Sequence, residues 1–316
     1  MSKIVIMESL GITDEVLQNL QKPFEAQGHT FVSYPRTTDP EKLVEQAKDA
    51  DAMIIANMPM PNEVIRRCEQ LKFIDVAFTG VDHVGLDAAR ERGVAVSNAS
   101  GYSNEAVAEL VLGMALSILR NMSAVEERCR AGRTKDGLVG SELKGKTVGI
   151  IGYGKIGRRS AELFHAFGCP ILACSRSHKP DAPDYVEQVS REELLQRSDI
   201  VVLHCPLNES TRGMIDAKAL AMMKNSAILI NVARGPVVVS QDLADALNGG
   251  VIAAAGIDVF DKEPPLDESE PLLGCKNCLV TPHVAFATKE SMILRAQIVF
   301  DNLDGWLRGE QKNIVL

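Results

Sequence analysis

The run Thr147-Val148-Gly149-Ile150-Ile151-Gly152-Tyr153-Gly154-Lys155-Ile156-Gly157 constrains this chain more than any other stretch. An apolar segment of strand length breaks into G-x-G-x-x-G and then into a helical pattern, with Ala161, Leu163, Phe164 and Phe167 closed by Gly168. Glycine at Gly152 permits a tight strand-to-helix turn. At Gly154 it lets a pyrophosphate approach the backbone, and at Gly157 it lets the helix lie close on the strand. Lys155 and Ile156 then open a helix whose N-terminal N–H groups face an anion. In that context the stretch reads as a dinucleotide-binding turn.

The chain has 316 residues, 46% hydrophobic and 24% charged, enough for two domains with proper cores. Its net charge of −8 argues against a nucleic-acid surface, which needs a concentrated excess of Lys and Arg. The N-terminus enters a short strand, Ile4 to Met7, without a signal-peptide pattern, and no apolar run approaches the ~20 residues of a membrane span. These features, with an odd count of seven cysteines, predict a cytoplasmic protein with reduced thiols. Cys275-Lys276-Asn277-Cys278 has no second pair to complete a zinc site, so no metal is expected.

Two series of alternating strand and helix patterns predict an α/β fold of two doubly wound parallel sheets. The first runs through strands near Ile4, Thr30, Ala52, Phe73 and Val94, with helices at Asp14–Gln27, Pro40–Ala47 and Pro61–Gln70. A long helix, Asn104–Met122, leads into the second series. That series begins at the glycine turn, with strands at Ile171–Cys174, Ile200–His204, Ala227–Val232, Ala253–Asp258 and Cys278–Thr281. The expected division is residues 1–100 with 287–316 as a substrate domain, and residues 101–286 as the dinucleotide-binding domain.

Ligands of open α/β sheets bind beyond the carboxyl ends of the strands. Arg234, Glu263 and His283 lie there, and their types suit hydride reduction of a 2-oxo acid. Arg234 offers a planar fork for the carboxylate. His283 titrates naturally near neutrality and serves as acid in reduction and base in oxidation. Glu263, hydrogen-bonded to it, favours the imidazolium.

Asn231-Val232-Ala233-Arg234-Gly235, Gly256-Ile257-Asp258-Val259-Phe260-Asp261-Lys262-Glu263-Pro264 and Thr281-Pro282-His283-Val284-Ala285, following the glycine turn, closely resemble the D-isomer-specific 2-hydroxyacid dehydrogenase family. The resemblance covers nearly the whole chain, including Gly80-Val81-Asp82-His83-Val84 and Val107-Ala108-Glu109. It implies an Arg234, Glu263, His283 catalytic set in a cleft between a flavodoxin-like substrate domain and an inserted Rossmann domain, and a homodimer joined through the nucleotide domains. It implies that the turn at Thr79 to Val81 lends N–H groups of Gly80 and Val81 to the substrate carboxylate. Asn104 is then expected near the cofactor phosphates, His204 and Pro206 near the ribose and nicotinamide, Val232 at the nucleotide site, and Asp258 near the carboxamide.

One departure is informative. About twenty residues past the glycine turn an acidic residue normally binds the adenosine ribose. Here Ile171-Leu172-Ala173-Cys174 runs into Ser175-Arg176-Ser177, which offers hydroxyls and a guanidinium to a 2′-phosphate. NADP(H) is therefore the expected cofactor, with NAD(H) as the alternative. Asn57-Met58-Pro59-Met60-Pro61-Asn62 contains no Arg or Lys to meet a phosphorylated substrate, and Met58 and Met60 are candidates to line an adaptable pocket. Reduction of glyoxylate or hydroxypyruvate is the leading expectation. The alternatives are a D-lactate-type or branched-chain dehydrogenase and, in a different class, a nucleotide-sensing corepressor.

Overall fold

The computed structural model describes residues 1–263 and 265–316; Pro264, the last residue of one family motif, lies outside the described residues. The chain divides into two compact units, Met1–Ser103 with Ala287–Leu316, and Asn104–Phe286.

The first unit carries a parallel sheet of β1 (Lys3–Ile6), β2 (Thr30–Ser33), β3 (Ala52–Ile55), β4 (Phe73–Val76) and β5 (Ala95–Asn98), in the order β2-β1-β3-β4-β5. This is the flavodoxin-like order, in which the chain reverses direction between β1 and β3. Strands β3 and β4 are buried along their whole length, as parallel strands covered on both faces must be. The helices are α1 (Asp14–Glu25), α2 (Pro40–Ala47), α3 (Asn62–Arg67) and α4 (Leu86–Arg92). Thr13 and Asp39 cap the first two through their side chains. The short α4 is not signalled by its sequence, whose seven residues complete too few turns to show a period.

The second unit begins with α5 (Asn104–Leu119), which is shorter than its apolar pattern predicts. Asn121 takes φ +52°, so the helix stops before Met122 and a separate α6 (Met122–Arg130) starts at a bend of 60°. Its sheet comprises β6 (Val148–Ile151), β7 (Ile171–Cys174), β8 (Val186–Gln188), β9 (Ile200–Leu203), β10 (Ile228–Asn231), β11 (Ala254–Ile257) and β12 (Cys278–Val280). The order is β12-β11-β10-β9-β6-β7-β8, all parallel, which is the Rossmann arrangement with its reversal between β6 and β9. Edge strand β8 escapes the sequence pattern because it has three residues and only Val186 is buried. Between the strands lie α7 (Lys155–Ala166), α8 (Arg191–Arg197), α9 (Ala217–Met222) and α10 (Ser240–Asn248).

The terminal helix α11 (Lys289–Leu307) belongs to the first unit. Thr288 and Ser291 form a reciprocal capping box at its start. Phe300 packs 5.7 Å from Phe24, and Trp306 stacks 5.0 Å from Phe73. Beyond it the chain returns to pair Ile314 antiparallel to Ser97 on β5.

Among the described residues no single helix is long and apolar enough to cross a membrane, and no cluster of His, Cys, Asp or Glu is placed to hold a metal ion. All seven cysteines are free thiols, and burial pushes the Cys278 thiol up to about 12. Met58 and Met60 are fully buried, so they belong to the core and do not line an open pocket.

Candidate active site

At the reversal of the second sheet, β6 ends and Gly152 turns the chain with φ +101°. A Cβ there would lie 2.5 Å from the backbone of His204 and Cys205, which follow β9, so the position admits only glycine. A Cβ on Gly157 would lie 2.3 Å from the Gly152 carbonyl, which fixes how closely α7 sits on its strand. Around Gly154, by contrast, a Cβ would meet nothing within 4 Å. Gly154 is the N-cap of α7 and no side chain caps it, leaving the first-turn amides of Lys155, Ile156 and Gly157 to a ligand. This open cradle fits the pyrophosphate of a nicotinamide dinucleotide.

The neighbouring residues divide by what they touch. The His204 ring lies with Nε2 2.9 Å from Ser160 Oγ on α7, and burial pushes its pKa down to about 3, so it is neutral. Pro206 is exposed, and its carbonyl accepts from Thr211 Oγ1 at 2.7 Å. Asn104 opens α5 with its side chain half-buried.

At the end of β7, Ser175 donates its hydroxyl hydrogen to the Ser177 carbonyl at 2.8 Å, so it points into the loop and not outward as expected. Arg176 and Ser177 are exposed. Lys179 Nζ donates to Ser177 Oγ at 3.2 Å and adds a cation that the motif alone does not reveal.

The three candidate catalytic residues follow three adjacent strands. Arg234 comes after β10, Glu263 after β11 and His283 after β12. Gly235 brings the first two loops together: a Cβ there would fall 2.0 Å from the Phe260 backbone. Asn231, at the end of β10, accepts from Ala233 N–H at 3.0 Å and donates to the Arg234 carbonyl at 3.0 Å, bracing that turn from both sides. Val232, at the edge of burial, lies within the braced segment.

His283 adopts φ +55°, an uncommon conformation for a residue with a side chain. What holds it there is Asp258. The Asp258 carbonyl accepts from His283 N–H at 2.7 Å. Its carboxylate accepts from Thr281 Oγ1 at 2.6 Å, Val284 N–H at 2.8 Å and Ala285 N–H at 2.9 Å. Asp258 is wholly buried, and burial raises its pKa against these hydrogen bonds. The resemblance places it near the cofactor carboxamide and gives no sign of its grip on the His283 loop, which depends on contacts more than twenty residues away.

The ring so placed puts Nδ1 2.6 Å from Glu263 Oε2, and Phe286 meets it edge-on at 5.5 Å between ring centres. An ionised carboxylate can only accept, so Nδ1 carries the hydrogen in this contact. An arginine, a histidine and its carboxylate partner thus stand after three neighbouring strands of the sheet.

In the first unit, the turn after β4 holds Gly80 and Val81. Asn98 Nδ2 fixes it by donating to the Thr79 carbonyl at 2.7 Å. Neither Gly80 N–H nor Val81 N–H has a partner among the described residues.

Comparison with known proteins gives the family. Residues 112–285 match the family model described as D-isomer specific 2-hydroxyacid dehydrogenase, NAD binding domain. The chain belongs to the D-isomer specific 2-hydroxyacid dehydrogenase family. It is 36% identical to a hydroxypyruvate reductase of Blautia hydrogenotrophica over 99% of both chains. It is likewise 36% identical to a glyoxylate reductase of Thermococcus litoralis, over 85% of this chain and 84% of that one. Among solved structures, an acyclic imino acid reductase in complex with NADPH and D-Arg superimposes with a TM-score of 0.91 at 26% identity, covering 99% of this chain and all of that one. This member of the dehydrogenase family is an NAD(P)-dependent oxidoreductase, with a Rossmann unit inserted into a flavodoxin-like one.

Proposed function

We propose that the enzyme reduces a small 2-oxo acid, glyoxylate or hydroxypyruvate, to the D-2-hydroxy acid, and that it prefers NADPH. The observation carrying this reading is the 2.6 Å contact between His283 Nδ1 and Glu263 Oε2 beside the Arg234 turn. When bound, the reduced nicotinamide supplies a hydride to C2 of the oxo acid. Arg234 pairs with the substrate carboxylate through its guanidinium, and in the first unit the N–H groups of Gly80 and Val81 are donors suited to a carboxylate. His283 Nε2 delivers a proton to the oxygen that becomes the hydroxyl, and the imidazole recovers that proton from solvent afterwards. Glu263 holds the ring through its contact with Nδ1.

Asp258 keeps His283 in its unusual backbone conformation. Its hydrogen bonds to Thr281, Val284 and Ala285 hold it in the core beside the loop that this proposal places at the cofactor carboxamide. Asn104, His204, Pro206 and Val232 complete the nucleotide site in this proposal. Arg176, Ser177 and Lys179 support NADPH because they present positive charge and a hydroxyl where an acid would repel a 2′-phosphate.

The enzyme works, in this reading, as a cytoplasmic homodimer. Its support is that α6 has no buried residue and Val139 is 78% exposed, which leaves an arm of the nucleotide unit for a second copy to cover. Initial rates on glyoxylate, hydroxypyruvate, pyruvate and branched 2-oxo acids, each with NADPH and NADH, test the proposal. It expects turnover of the first two with a higher kcat/KM for NADPH. Nucleotide binding without turnover of any acid would favour a corepressor-like binding protein instead.

A further inference from the structure

The reversal between β1 and β3 in the first unit is the second place where a doubly wound sheet opens a crevice for ligands. Its floor is a buried carboxylate. Glu8, just past β1, is 5% exposed, and its Oε1 accepts from the N–H groups of Ala56 and Met58, both at 2.8 Å, in the loop after β3. Its Oε2 takes Arg36 Nη1 at 2.9 Å. The same Arg36 Nη1 donates to Asn57 Oδ1 at 2.5 Å. Residues 8, 36 and 57, far apart in sequence, therefore meet at one strand-end crevice, and a cation does reach the loop that contains none of its own.

Arg36 is not fully used by these contacts. Its side chain is 48% exposed, and neither Nε nor Nη2 has a partner among the described residues. Asn57 is exposed, and its Nδ2 is likewise unengaged among the described residues. The crevice thus presents the unengaged hydrogen-bond donors of Arg36 and Asn57. The loop that carries Asn57 is fastened to the turn that carries Gly80 and Val81: Met60 N–H donates to the His83 carbonyl at 2.9 Å, and Gly85 N–H to the Met60 carbonyl at 2.8 Å. The two features follow neighbouring strands, roughly 5 Å apart. That is about the distance a three-carbon 2-oxo acid spans from its carboxylate to its C3 substituent.

We infer that Arg36 and Asn57, positioned by Glu8, form the specificity subsite that receives an oxygen substituent on C3 of the substrate. The inference rests on the proposed 2-oxo acid reduction, and selects hydroxypyruvate-like acids over alkyl ones within it. A site built of donors rejects an analogue whose methyl group leaves them unpaired.

The test compares hydroxypyruvate with 2-oxobutyrate, which places a methyl group where the hydroxyl stands, in the wild type and in Arg36→Met, Asn57→Val and Glu8→Gln. Wild type should favour hydroxypyruvate in kcat/KM. Arg36→Met should lower that preference by about tenfold or more. Asn57→Val should lower it less. In Glu8→Gln the amide oxygen can still accept from Ala56 and Met58, but the anchor of Arg36 is lost. The same preference should therefore fall. If Arg36 is only a structural residue, both substrates will decline together and the ratio will stay at its wild-type value, which overturns the subsite. A wild type without preference overturns it too. Glyoxylate separates the levels: wild-type glyoxylate turnover with an unmoved ratio removes the subsite alone, whereas no turnover of any of the three acids removes the parent reading with it.

Discussion

The two sheets reverse direction by the same topological rule, yet their crevices are built from different material. At the β6/β9 reversal, backbone forms the site: Gly152 and Gly157 admit no Cβ, and Gly154 leaves the helix amides open. At the β1/β3 reversal, side chains form it: Glu8, Arg36 and Asn57 meet from three separate loops. A backbone-built site needs glycines at fixed spacing and so leaves a contiguous motif. A side-chain-built site leaves no local trace, because each member is fixed by the sheet order. The division matches the tasks, since the nucleotide is common to a whole class of reactions and the substrate tail varies.

If this division holds, substitutions in the nucleotide unit should change chemistry or nucleotide use, and those in the first unit should change substrate choice. The largest effect is expected of His283→Ala, with kcat falling about 10²- to 10⁴-fold in steady-state assays while nucleotide binding persists. A variant that keeps kcat and changes only selectivity would break the comparison. Arg234→Ala should lower kcat/KM for the oxo acid by about 2 kcal/mol, or roughly thirtyfold, through loss of a charge-assisted contact. Wild-type kcat/KM would remove Arg234 as the carboxylate anchor.

Gly152→Ala should weaken nucleotide binding measured by titration calorimetry and lower the melting temperature together. Its Cβ would collide with the backbone at His204 and Cys205 at a φ of +101° that alanine avoids. Unchanged affinity would mean the turn is not backbone-built in the sense argued here. Arg176→Ala should reduce the kcat/KM preference for NADPH over NADH by about tenfold, an effect absent if the guanidinium does not meet the 2′-phosphate.

The smallest effect concerns pH. Burial holds His204 at about 3, below the ordinary histidine value of 6.5. A depressed folded-state pKa gives stability that is fully present above pH 6.5 and lost as the pH falls towards 3. His204→Gln removes the titrating ring and should flatten the decline in melting temperature between pH 6.5 and 4. An unchanged slope would show that His204 does not titrate in this way.

The parallel architecture was legible because fully buried strands such as Ala52–Ile55 and Ile200–Leu203 are unbroken apolar runs. Elements that bury little were not: α4, α6 and the edge strand β8 carry no sufficient period. Arg234, Glu263 and His283 could be picked out by type and by position after strands. Their support could not. Asp258 grips the loop from Thr281 to Ala285 through contacts that only the β11–β12 pairing creates. The absence of Arg or Lys in Asn57–Asn62 was a correct reading of the segment and a misleading one of the site, because Arg36 arrives from beyond β2.

The most direct test of the central claim is the product formed from hydroxypyruvate and NADPH by the wild-type enzyme, resolved by chiral chromatography. Oxidation of NADPH matched one for one by D-glycerate is the predicted result. L-glycerate, or no nucleotide oxidation at saturating hydroxypyruvate, would contradict it.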